Sequence, residues 1–269
     1  MQTCAGHIPG TVCAGPLIDS HCHLNYEPLY SSLEKQLADA MTAGVQTFIV
    51  PAVHPNDWQQ IIELSRQYNC IKPAFGIHPM HAGLADNESL NCLTEVSDQA
   101  IAIGEIGLDA LCGTPLDTQE STFRSQLRLA IDMHLPVLVH CRKAFEKTLR
   151  ILREEQAGRT GGVMHAFSGS VEMAREFIKQ GFGISISTNI TWPDAHKLQM
   201  LARLLPEEQI LIETDAPFMA PRGCQKGESR PAMLADVLHM LAQLRSTPTE
   251  LLAAAILENS RRIFRHQDL

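Results

Sequence analysis

Four histidines and two acids stand where apolar, β-branched runs of this chain stop: His21, His23, Glu105, His140, His165 and Asp215. They lie in Asp19-Ser20-His21-Cys22-His23, Gly104-Glu105-Ile106-Gly107-Leu108-Asp109, Val139-His140-Cys141-Arg142, Met164-His165-Ala166-Phe167 and Glu213-Thr214-Asp215-Ala216-Pro217. Neutral imidazoles and carboxylates are the ligands that divalent cations share. Taken alone, His-x-His suits a hydrogen-bonded polar mouth as well as it suits a metal. Strand alternation puts His21 and His23 on one side and Cys22 on the other. Four imidazoles and two carboxylates exceed the needs of one tetrahedral ion and suit two ions that share a bridging carboxylate.

Such a set works only if the segments that carry it converge. Apolar, β-rich segments recur at 16–22, 45–51, 73–77, 100–105, 136–140, 161–165, 182–187 and 209–214. Between them run helical patterns, Leu33-Leu37-Ala40-Met41 and Phe123-Leu127-Ala130-Ile131 among them. Further helices are expected over 56–69, 88–98, 143–156, 171–180, 194–204, 231–245 and 248–264. Strands alternating with helices imply parallel βαβ units, and eight of them close into a (β/α)8 TIM barrel of the amidohydrolase-like kind. In that fold the C-terminal strand ends form one rim, so Glu105, His140, His165 and Asp215 would meet His21 and His23 there. No linker interrupts the pattern over 16–269, which is taken as one domain, and 1–15 is taken as a loose extension. Cys4, His7 and Cys13 in that extension lack the second pair that a zinc site needs.

The chain has 269 residues, 45% of them hydrophobic, and a net charge of −8, which argues against a broad basic clamp on duplex nucleic acid. An anionic substrate would have to be held locally, by metals and a few cations. Arg142, Arg222, Lys226 and Arg230 follow segments five and eight and are the candidates, with Arg142 foremost because it is next but one to His140. His78, ending segment three, is a candidate for touching substrate, whereas His54 is expected in a loop. Ser168-Gly169-Ser170 is placed to cap a helix. No membrane span or signal peptide is visible. The eight cysteines never form Cys-x-x-Cys, as expected of reduced thiols in a cytoplasmic protein, and Cys22 and Cys141 are expected in the core.

From about Leu17 to Phe264 the chain resembles the TatD family of metal-dependent hydrolases. The resemblance is carried by the five motifs above together with Gly76-Ile77-His78-Pro79, Ser168-Gly169 and Asn259-Ser260-Arg261-Arg262-Ile263-Phe264, all in the family's order. Gly107-Leu108-Asp109-Ala110-Leu111-Cys112-Gly113, without an aromatic pair after the Asp, is similar to the YjjV-type branch, and Arg159-Thr160-Gly161-Gly162 and Arg230-Pro231 point the same way.

The resemblance implies that His21, His23 and Asp215 hold one divalent cation, that His140 and His165 hold a second, and that Glu105 bridges them. Imidazoles favour zinc, manganese, cobalt or nickel over magnesium on affinity, while availability and a nuclease role favour magnesium or manganese. Two cations lower the pKa of a shared water and offset charge that develops on attack, and Asp215 is the natural acceptor of that water's proton. The implied activity is phosphodiester hydrolysis, often of DNA, with DNA or another phosphodiester as substrate and neither a membrane nor a protein partner expected. Hydrolysis of an ester or amide, for example on an aminoacyl-RNA, is the alternative within enzymes. A non-catalytic metal-containing partner protein is the alternative outside them.

Overall fold

In the computed structural model, which describes residues 15–266 and 269, eight parallel strands alternate with helices. The strands are β1 (Leu17–Asp19), β2 (Val45–Pro51), β3 (Ile71–Phe75), β4 (Ala102–Asp109), β5 (Val137–Arg142), β6 (Gly162–Met164), β7 (Phe182–Ile186) and β8 (Ile210–Ile212). The helices are α1 (Leu33–Thr42), α2 (Asp57–Gln67), α3 (Asn87–Ser97), α4 (Leu116–Asp132), α5 (Phe145–Glu154), α6 (Val171–Ile178), α7 (His196–Leu204), α8 (Leu234–Arg245) and α9 (Thr249–Phe264). Each strand pairs with the next in sequence. Ser20 N donates to Ile212 O at 3.1 Å and Asp215 N to His21 O at 2.9 Å, which ties the last strand to the first and nearly closes the barrel expected from sequence.

Parallel strands covered by helices are buried on both faces, and that explains their unbroken apolar composition. Residues such as Phe48, Phe75, Val139, Phe182 and Ile212 face the helices and pack with Leu37, Ile61, Phe123, Leu152 and Leu238. Ile18, Ile49, Ala74, Leu138, Val163 and Leu211 form a second, inner cluster with Ile263 and Phe264 of α9. Gly183 leaves the space for this plug, because a Cβ there would stand 2.5 Å from both Ile263 Cδ1 and Leu211 Cδ1. The closed end is therefore apolar, and the opposite end is free to carry polar chemistry.

The seven helices given ranges from sequence fall within three residues of them, whereas α4 begins at Leu116, seven residues before its Phe123–Ile131 pattern. Ser170 Oγ accepts from Met173 N at 3.2 Å and caps α6, as its place after Ser168-Gly169 predicted. Strand bounds differ more. β1 stops at Asp19, so His21 and His23 lie beyond it, held by single cross-links such as Cys22 N to Ile49 O at 3.0 Å. β4 continues to Asp109, so Glu105 sits inside the strand and not at its end. Gly107 lets β4 pass close to β5: its φ is +143°, and a Cβ there would stand 2.0 Å from His140 O. The proposed extension, apart from Gly15, and the Cys4, His7 and Cys13 reading lie outside the described residues. Cys22, Cys70, Cys92, Cys112 and Cys141 are free thiols; Cys22 is fully buried and Cys141 is half-buried against the core. Among the described residues no helix is long and apolar enough to cross a membrane.

Candidate metal centre

Four side chains from three arms of the barrel face a common point. His21 Nε2 and His23 Nε2 are 3.1 Å apart. Glu105 Oε2 lies 3.3 Å from the first and 3.8 Å from the second. Asp215 Oδ1 lies 3.7 Å and 3.4 Å from the same two nitrogens. Four ligands around one tetrahedral ion at 2.0–2.2 Å are separated by about 3.3–3.6 Å along each edge. The five distances scatter about that value, so these donors fit a divalent cation in both chemistry and spacing.

The other oxygen of Glu105 faces a different set. Glu105 Oε1 is 2.7 Å from His140 Nδ1, 3.6 Å from His78 Nε2 and 3.8 Å from His165 Nε2. His165 Nε2 is also 4.0 Å from Asp215 Oδ1, and its ring stacks on His21 with centroids 3.5 Å apart. One carboxylate thus separates two groups of imidazoles and presents one oxygen to each. Among the described residues three groups could hold a cation: His21, His23 and Glu105; His78, Glu105 and His140; and His21, His165 and Glu213.

A further layer of acids fixes these rings. Asp109 Oδ2 lies 3.2 Å from His140 Nε2, so the nitrogen turned away from Glu105 also has a carboxylate partner. Glu213 Oε1 lies 3.0 Å from His165 Nδ1 and accepts from Ala166 N at 2.7 Å. Asp19 joins β1 to the end of β8: its Oδ1 accepts from Thr214 N at 3.0 Å and His21 N at 3.3 Å, and its Oδ2 from Thr214 Oγ1 at 2.5 Å. Ala166 and Asp215, which follow β6 and β8, are both left-handed, with φ of 41° and 49°. Strained backbone of this kind persists where surrounding bonds over-determine it, and here the bonds of Glu213 and of His21 O do so.

The electrostatics are those of a cation site. Burial would raise the Glu105 carboxyl, but His78, His21, His165 and the hydrogen bond with His140 hold it well below the usual carboxylate range. Asp215 is lowered in the same way, with His165, His23 and His21 overcoming its burial. Burial opposes charge on His165, yet Glu213, Asp215 and Glu105 push it up to about 10. Against the same opposition, hydrogen bonds with Asp109 and Glu105 raise His140. His78, with burial dominant, is pulled down to about 3. The acids therefore collect positive charge, and without ions they collect it as protons on His140 and His165.

The family model described as TatD related DNase matches residues 18–265. The chain belongs to the TatD family of metal-dependent hydrolases. An uncharacterized metal-dependent hydrolase of Bacillus subtilis, YabD, is 34% identical over 252 residues, covering 93% of this chain and 99% of its own. The crystal structure of the TatD homologue YjjV from Escherichia coli superposes with a TM-score of 0.89 at 34% identity, covering 95% of this chain and 99% of that one. The mouse putative deoxyribonuclease TATDN3 is 29% identical over 264 residues, covering 92% of this chain and 88% of its own.

In this TatD-family barrel all six residues expected as ligands converge, and His78 joins them. The rim cations are less concentrated. Arg142 has a largely exposed side chain, and its Nη1 is 3.9 Å from Asp109 Oδ2. Arg222 is exposed, with its backbone N bonded to Thr191 Oγ1 at 3.0 Å, and Lys226 is exposed in the same loop. Arg230 turns its guanidinium to Gly227 O at 2.9 Å and Ser229 O at 2.8 Å, so it braces its own loop. His54 accepts from Asn56 N at 3.0 Å, as a loop residue. Sequence reasoning missed Asp109, Glu213 and Asp19. The even spacing of Glu105 and Asp109, and of Asp215 and Glu213, was the available signal, because it puts each pair on one face of an extended chain.

Proposed function

We propose that this chain is a divalent-metal-dependent phosphodiesterase acting on DNA, with two cations per chain held by His21, His23, Glu105, His140, His165 and Asp215. The observation that supports it best is the division of Glu105, with Oε2 toward His21 and His23 and Oε1 toward His140, His78 and His165. The TatD related DNase description of the family and the name of the mouse relative support DNA as the substrate class. Zinc, magnesium and manganese are all compatible with this donor set.

When bound, two such ions lower the pKa of a shared water and balance the attacking and leaving oxygens of an in-line displacement. The chain's own residues do the rest. Asp215 is held ionised and accepts the proton of the attacking water. Asp109 takes the His140 nitrogen turned away from Glu105, and Glu213 sets its carboxylate 3.0 Å from His165 Nδ1. His78 stays neutral under its burial, and because its Nδ1 accepts from Met80 N at 3.1 Å, its Nε2 carries the proton and can donate to a substrate oxygen without adding charge. Arg142, at the mouth, would meet the phosphate next to the scissile bond.

The test is a screen of metal-reconstituted protein on single-stranded DNA, RNA, bis(p-nitrophenyl) phosphate and simple carboxylic esters. Metal-dependent cleavage of DNA and of the nitrophenyl phosphodiester is expected. Cleavage of the esters with no phosphodiester turned over would refute the proposal.

A further inference from the structure

We infer that the cavity between the arms after β5 and β6 is a second phosphate subsite, which seats the strand that flanks the scissile bond. It rests on the phosphodiesterase reading for the identity of that strand. The cavity has a volume of about 560 Å³, and its lining includes Lys143, Lys147 and Lys197 against a single acid, Glu146. None of the lysines belongs to the ligand cluster or to the rim arginines. On a chain of net charge −8, three ammonium groups in one cavity form a local reversal of sign.

The three differ in what they have left to give. Lys147 Nζ is 2.9 Å from Glu120 Oε2 and 3.7 Å from Asp117 Oδ1, so its charge is largely met. Lys197 reaches from α7 to donate to Ser168 O at 3.0 Å, which places its ammonium at the cavity and leaves two N–H groups for a ligand. Lys143, on the exposed turn after β5, follows Arg142 directly. The usable positive charge is therefore that of Lys143 and Lys197. Leu116, Phe145 and Met173 supply apolar wall beside them, which suits the sugar and base of a nucleotide as well as its phosphate.

The position fits a strand running out of the metal centre. Lys143 is three residues beyond His140, and Ser168 is three residues beyond His165. Three residues of chain reach at most about 11 Å, so both walls of the cavity begin within that distance of the two ligands. A strand with its scissile phosphodiester at the centre and the next phosphate at Arg142 would direct the phosphate after that toward Lys143 and Lys197. A minimal diester, with no second phosphate, would gain nothing from the cavity.

The test compares wild type with Lys143→Ala/Lys197→Ala and with Lys143→Arg/Lys197→Arg. The probes are a short phosphorothioate oligothymidylate for binding to metal-loaded protein and bis(p-nitrophenyl) phosphate for turnover. Two lost single-strand phosphate contacts remove about 1.4 from the salt slope, so from 50 to 200 mM salt the wild type should lose about sevenfold more affinity than the alanine variant. The arginine variant should keep the wild-type slope, and all three should turn over the nitrophenyl diester alike. Equal affinity and equal slope in wild type and the alanine variant, with the diester still cleaved, overturn the subsite and leave the phosphodiesterase reading standing. Lysine-dependent binding by a wild type that cleaves no diester keeps the subsite as an anion site and removes that reading. A wild type that neither binds the oligonucleotide nor cleaves the diester overturns both.

Discussion

Replacing Glu105 by Gln should weaken both metal-binding steps, and that double effect distinguishes a bridge from a ligand of one ion. The side chain is 4% exposed, and its two oxygens face separate groups of imidazoles, so each group loses the same charge. At an effective dielectric of about 20, two unit charges about 4 Å apart interact by about 4 kcal/mol, and a dication doubles this to about 8 kcal/mol. The Gln amide oxygen still presents its dipole, and water and protein relax around the change. A loss of half or less, about 3–4 kcal/mol per ion, corresponds to affinity about 10²–10³-fold weaker. The neighbouring ions also lose the negative charge that screens them from each other. The assay is calorimetric titration of zinc or manganese into EDTA-stripped protein, with circular dichroism to show that the barrel is folded. His23→Ala is the control, because His23 faces only one group and should weaken one step. A Glu105→Gln protein that binds two ions with affinities within about threefold of wild type would refute the bridging assignment.

Asp215→Asn keeps a carbonyl oxygen toward the centre but cannot accept a proton, so turnover should fall by about 10²-fold or more in a folded protein; normal turnover at saturating metal would remove Asp215 as the base. Arg142→Ala should flatten the salt dependence of single-strand DNA binding by about 0.7 in slope, the share of one phosphate contact, and an unchanged slope would place the phosphate elsewhere. His165 is raised to about 10, so metal-free protein at pH 8 carries a proton there that an ion must displace. Apparent metal affinity should therefore rise with pH up to about 10, by about tenfold per pH unit for each proton displaced, and proton release on binding measured in two buffers would show it. A pH-independent affinity between 7 and 9, both inside that window, would contradict this charge assignment.

Ligand type and strand end were enough to locate most of the centre. Once Ala74, Leu138, Val163 and Leu211 are known to face the barrel interior, period two carries His78, His140, His165, Glu213 and Asp215 to the same side. What the sequence did not show is where that phase slips. In β1, Ile18 faces the interior and Ser20 Oγ meets Ser185 Oγ at 2.9 Å, but a bend at Ser20 and His21 then sends Cys22 outward and the two histidines inward. In β4 the register against β5 shifts between Ile103 and Ile106. Ile106 and Leu108 consequently pack under the helices, which leaves Glu105, Gly107 and Asp109 on the opposite face.

These two irregularities are also where the chemistry concentrates. A regular β4 would carry one alternation unbroken from Ile103 through Asp109; the shift resets it just where Glu105 must face both imidazole groups. The partners of the ligands depend on that cross-strand register: Gly107 lies opposite His140 and Asp109 opposite Arg142, which lets one carboxylate touch both His140 and Arg142. Such pairings join residues more than thirty positions apart, as the 31 between Asp109 and His140 show, and no local pattern encodes them. Lys197 is the same case on a helix, since only the packing of α7 beside the β6 arm brings its ammonium to Ser168. The residues that do chemistry by their own type were therefore open to inspection in sequence, whereas those that act by orienting them became visible only with the register.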